Sequence, residues 1–190
     1  MVSSVLLVSI LLAVLFPPVI SIGELQKTYE IQLQKEFLAS NTYLTFAHRL
    51  LTRGVYQGFA HFFFESAEEE RDHGKKLLDF YNVRNRDLPL YDIDIVDNIA
   101  TMTDLSKMIG AAAEMEKDVF DQLIKVRLAA NNEKDFATVH FIESQMLEEQ
   151  TTALKYMHDL VKRIERNADN STILLQMMDQ DLRKKQAKKA

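Results

Sequence analysis

From Gly23 onward, apolar residues return every three or four positions, the repeat of a helix that buries one face. The repeat forms four long blocks and one short one, broken at "TRGVYQG" (52–58), "NVRNRDLPLYDIDIVDN" (82–98), "LAANNEKD" (128–135) and "RNADNST" (166–172). Four long amphipathic helices predict an all-α four-helix bundle, followed by a short fifth helix. The second break contains Pro89 and is long enough to run the length of a bundle, so the helices on either side of it are expected to be parallel. The other breaks suit antiparallel neighbours.

Stepping along each block by three or four residues gives the inward stripes, and polar residues interrupt all four. The first runs Leu33, Glu36, Ser40, Tyr43, Ala47, Leu50; the second Phe59, Phe63, Ser66, Glu70, His73, Leu77, Tyr81. The third runs Leu105, Ile109, Ala112, Glu116, Val119, Leu123, Val126; the fourth Val139, Glu143, Met146, Gln150, Ala153, Met157, Leu160, Ile164. Unpaired buried charge is costly, and a pair of divalent cations would offset it. Oxygen donors with one imidazole suit iron or manganese rather than a thiolate-type zinc site. Glu70 and His73 stand at i and i+3 on one helix face, the spacing with which carboxylate-bridged di-iron bundles hold their ions. The acids Glu65, Glu68, Glu69 and Asp72 fall on the outer face of that helix, where they form either an ordinary wet surface or a patch that receives cations.

Composition narrows the setting. With 190 residues, 47% hydrophobic and 27% charged, the chain suits one domain with a sizeable core, and five glycines and three prolines are too few for a many-stranded protein. A net charge of −5 gives no general attraction to nucleic acid or anionic lipid, although the tail "RKKQAKKA" is basic. The uncharged start holds an apolar run from Val5 to Phe16 that ends at two prolines and is short for a membrane span. Residues 1–21 are therefore expected to be a secretory signal peptide, cleaved at about 21–23, leaving 22–190 as the folded domain, secreted or in the secretory pathway and away from the membrane. With no cysteines, an exported chain has no disulfides and depends on packing or assembly. Asn170-Ser171-Thr172 fits a glycosylation sequon.

"EFLASNTYL", "EEERDHGKKL", "EMEKDV" and "FIESQMLEEQ", in that order and near that spacing, resemble the ferritins, and among them the H-type subunit that carries a ferroxidase centre. The resemblance implies a ferritin-like di-iron domain. By position, Glu36, Glu70 and His73 match the ligands of the first iron site and Glu70, Glu116 and Gln150 those of the second, with Tyr43 beside them and Glu69 as a transient iron ligand. The implied activity is oxidation of Fe(II) to Fe(III) by dioxygen, two irons per subunit, with ferric mineral deposited inside a shell of twenty-four subunits built from this chain alone or mixed with a second type.

The resemblance also implies cation pores at threefold axes, where this chain has His140 and Glu143 as candidates, with Arg127 near the place of an iron-guiding histidine. His140 replaces a common acid, which makes that route less negative and, through imidazole titration, more sensitive to pH. The segment "STILLQMMDQDLRKK" resembles the short fifth helix at the fourfold axes, with Ile173, Leu174, Met177 and Met178 as its apolar contacts. Two other readings remain open: a ferritin-like structural or chaperone shell without ferroxidase activity, and a secreted helical signalling bundle.

Overall fold

A computed structural model describes residues 23–84, 99 and 101–188, and among these every regular element is helical. Helix α1 spans Glu24–Thr52, α2 Gln57–Val83 and α3 Leu105–Asn132. The fourth bundle helix starts as α4, Phe136–Ile142, passes through a π-helical turn at Glu143–Leu147 and continues as α5, Glu148–Glu165. A 3-10 turn, Ala168–Asn170, leads into α6, Ser171–Gln186. Asn170 is exposed. The expected signal peptide and most of the crossover around Pro89 lie outside the described residues. No helix among the described residues is long and apolar enough to cross a membrane.

Cross-helix bonds fix the topology. Tyr29 near the start of α1 donates to the Leu77 carbonyl near the end of α2 (2.8 Å), and Leu25 N–H donates to Glu133 just beyond the end of α3 (3.0 Å). Both neighbours therefore run antiparallel to α1, which leaves α2 and α3 parallel, as the long second break predicts. His73–Glu149 and Arg84–Asp135 contacts set the fourth helix antiparallel to α2.

Local chemistry explains where the helices stop and start. After α1, Gly54 adopts a left-handed conformation (φ 66°), and the N–H groups of Gly54 and Val55 return to the carbonyls of Leu51 and Leu50, closing a Schellman turn. The same turn ends α3, with Lys134 (φ 58°) in the glycine position. Asp104 and Asp135 cap α3 and α4 by accepting from Lys107 and Thr138 N–H. Helix α2 has no local side-chain cap. Instead Asp179 of α6, buried, accepts from Phe59 N–H (3.0 Å), and a Cβ on Gly58 would stand 2.2 Å from the Asp179 carbonyl oxygen, so only glycine fits there.

The core is divided in two. One apolar cluster joins Tyr43, Phe46, Phe59, Phe63, Ile109 and Met157 with Leu175 and Met178 of α6. The other joins Leu25, Tyr29, Leu33, Leu77, Leu123, Ile142 and Met146. Of the expected fifth-helix contacts, Met178 is buried and Leu174 packs against the first cluster, whereas Ile173 and Met177 are exposed. Every residue of the first three predicted stripes is buried.

The fourth stripe needs correction. Glu143 is exposed, and the buried positions step by four, Thr138, Ile142, Met146, Gln150. Each step of four overshoots an α-helical turn by about 40°. The π-helical turn takes up the overshoot, so Ile142 rather than Glu143 faces the core and Gln150 still points inward.

Candidate metal centre

Between the two apolar clusters lies a polar layer supplied by all four bundle helices. Glu36 comes from α1, Glu70 and His73 from α2, Glu116 from α3 and Gln150 from α5, and none is more than 8% exposed. Helix α2 approaches α1 closely here. A Cβ on Gly74 would stand 2.8 Å from the tip of the Phe37 ring, so any larger residue after His73 would have to push that ring aside.

Glu36, Glu70 and His73 each offer a ligand atom, and these lie within 4.8 Å of one another. His73 Nδ1 is 3.5 Å from Glu70 Oε2 and 3.7 Å from Glu36 Oε2. All three atoms are buried without a hydrogen-bond partner, as is Gln150 Oε1. Buried polar atoms are nearly always satisfied, and four unsatisfied ones in one layer mark a place for a cation. Glu116 forms the other pole, accepting from the Tyr43 hydroxyl and the Gln150 amide.

The electrostatics agree. Burial raises the Glu70 carboxyl well above the usual range, the Glu36 and Glu116 charges raise it further, and His73 offsets only part of this. Burial lowers His73, but Glu36 and Glu70 override it and take the ring up to about 11. Burial also raises Glu116, against the hydrogen bonds from Tyr43 and Gln150. Tyr43 is pushed well up by burial and then by Glu116 and Glu70, so it stays a phenol at neutral pH. Without metal, a proton on His73 partly balances charges that a cation would balance fully.

The remaining candidates lie outside this layer. Glu69 is exposed beside Glu70, with Glu65, Glu68 and Asp72 also exposed on α2. His140 and Glu143 are exposed one turn apart, and Arg127 Nε donates to Glu143 at 2.5 Å. That carboxylate is already paired within the chain.

Two supporting residues escape the stripe reading. Gln32, buried one turn before Glu36, donates to Glu36 Oε1 at 2.7 Å and leaves Oε2 unbonded. Its i, i+4 spacing from Glu36 was a usable signal. Glu149 accepts at His73 Nε2 (2.9 Å), although it is exposed and lies off the stripe.

A helical bundle with a buried layer of carboxylates and one imidazole belongs to the class of carboxylate metal-binding bundles. The chain belongs to the ferritin family: residues 29–167 match the ferritin-like domain. It is 34% identical over 133 residues to the ferritin middle subunit of Salmo salar, covering 70% of this chain and 75% of that one. It is 32% identical over 136 residues to the soma ferritin of Lymnaea stagnalis, covering 71% and 78%. Among solved structures, an iron-soaked variant of PmFTN superposes with a TM-score of 0.75 at 23% identity, covering 82% of this chain and 97% of that one. Iron binding, storage and oxidation belong to the family, whose members generally assemble into multi-subunit shells.

Proposed function

We propose that the protein is an H-type ferritin subunit that oxidises Fe(II) with dioxygen and stores the ferric product inside a shell. The carrying observation is the convergence of Glu36, Glu70 and His73, with their facing atoms unbonded, between the two apolar clusters of the bundle. One Fe(II) is bound by these three, and a second by Glu70, Glu116 and Gln150, with Glu70 bridging. Dioxygen takes one electron from each iron and two protons from water to leave as hydrogen peroxide, and the two Fe(III) ions, hydrolysed by water with release of protons, leave to mineralise.

The chain's own residues supply position and charge. Gln32 orients Glu36, and the neutral Gln150 opposite Glu116 holds the second ion weakly enough for release. Glu69, exposed at the edge of the layer, serves as a transient ligand on the way in or out. The twenty-four-subunit shell and secretion directed by residues 1–21 are part of the same proposal.

The test is anaerobic Fe(II) titration of the purified protein, then oxygen exposure, with particle size measured in parallel. Two irons bound per subunit in a large shell support the reading. A small species indifferent to iron overturns it. N-terminal sequencing of the secreted protein, expected to begin near residue 22, tests the leader separately.

A further inference from the structure

Glu149 sits on the seam between α2 and α5, immediately before Gln150, with its side chain 56% exposed. Its Oε2 is 2.9 Å from His73 Nε2 and 3.0 Å from Lys76 Nζ. Lys76 lies one turn beyond His73 on α2, so both partners reach the same carboxylate oxygen. The other ring nitrogen, Nδ1, is the one near Glu36 and Glu70. The imidazole therefore stands between Glu149 and the cluster.

A histidine binds metal only through a nitrogen that carries no proton, and what the other nitrogen bonds to decides which one that is. A neutral ring protonated at Nδ1 would donate toward Glu36 or Glu70 and block the position a cation needs. A carboxylate at Nε2 keeps the proton there. It also resists rotation of the ring about its stem.

We propose that Glu149 is a positioning residue for iron binding, fixing through His73 Nε2 the tautomer and orientation that present Nδ1 to the metal, with Lys76 holding Glu149 in place. The inference rests on the reading of Glu36, Glu70 and His73 as iron ligands. It assigns Glu149 no contact with the iron itself.

Anaerobic Co(II) titration of the assembled full chain, followed by visible absorption, tests the assignment. Glu149→Ala should weaken Co(II) binding by about tenfold or more and change the absorption band, the usual effect of losing a partner behind a metal-bound histidine. Because Glu149 is half exposed, thermal stability and shell size should stay as in the wild type. Glu149→Gln keeps an oxygen that accepts from Nε2–H and should bind within about threefold of wild type. Wild-type binding in Glu149→Ala overturns the proposal. So does a Glu149→Gln variant as weak as Glu149→Ala, since that would make the carboxylate's charge or direct ligation decisive. If the wild type itself binds neither Co(II) nor Fe(II), the reading of the centre fails instead.

Discussion

Replacing Glu70 with glutamine should make the metal-free protein more stable while removing metal binding. The Glu70 carboxylate is buried, with Oε2 unbonded, and it lies within 4.8 Å of a Glu36 ligand atom and 3.5 Å from His73 Nδ1. At an effective dielectric constant of about 20, repulsion from Glu36 is about 3.5 kcal/mol and attraction to a protonated His73 about 5 kcal/mol. The net attraction of about 1.5 kcal/mol is smaller than the cost of burying the charge, several kcal/mol per ion. Glutamine has nearly the same shape and avoids that cost. Since Glu70 is already pushed toward its neutral form by burial and its neighbours, only part of the gain is recoverable, about 1–2 kcal/mol. For a domain of this size that is a rise of about 2–8 °C in Tm. The assay is thermal unfolding by circular dichroism after chelation, at matched protein concentration, paired with Co(II) titration. A metal-free Glu70→Gln protein that is correctly folded yet melts at or below wild type would refute the reasoning, because the charge would then be stabilising on its own.

Three other outcomes are expected. Asp135 is depressed below the usual carboxylate range, since Arg84 and the Thr138 N–H and hydroxyl outweigh the upward push of burial. Its contribution is present above the ordinary carboxylate pKa and is lost as pH falls through the lower folded value. Asp135→Ala should therefore cost about 1–2 kcal/mol at pH 7 and flatten the acid side of a Tm-against-pH profile; equal acid limbs would contradict this. Lys134 occupies a left-handed position where glycine is free of side-chain strain, so Lys134→Gly should gain about 0.5–1 kcal/mol in thermal unfolding, and a lower Tm would count against the turn assignment. His73 is raised from 6.5 to about 11, so its stabilisation of the metal-free protein is full below 6.5 and fades as pH rises toward 11. Metal-free wild type should lose Tm between pH 7 and 10 more steeply than His73→Gln, as parallel melts would show.

Three of the four bundle faces were legible in the sequence because α1, α2 and α3 keep a regular helical repeat, and each polar interruption falls where the repeat puts it. Glu36, Ser40, Tyr43, Glu70, His73 and Glu116 are all buried as the stripes require. The fourth face was legible only in part. A repeat counted at 3.6 residues per turn includes Glu143 and passes over Ile142, because nothing in "HFIESQML" announces the π-helical turn that rephases it. Partners across the fold are harder still to read. Asp179 caps a helix that starts about 120 residues earlier, and Glu149 reaches His73 from an exposed position, so each looks like an ordinary surface acid along the chain. Arg127 likewise reads as a lone base until α3 and the π-helical turn bring it to Glu143.

The division of the core into two apolar clusters has a kinetic consequence. A bundle with one continuous core opens as a unit, whereas here each half can hold its own backbone amides while the polar layer between them opens more readily. Deuterium uptake in the metal-free protein should then show two slow groups, one about Phe46 and Phe63 and one about Leu33 and Leu77, separated by faster amides about Glu70 and Glu116. Because the candidate ligands come from all four bundle helices, a metal held in that layer would tie those helices together and slow its opening, so that binding and rigidity would rise together.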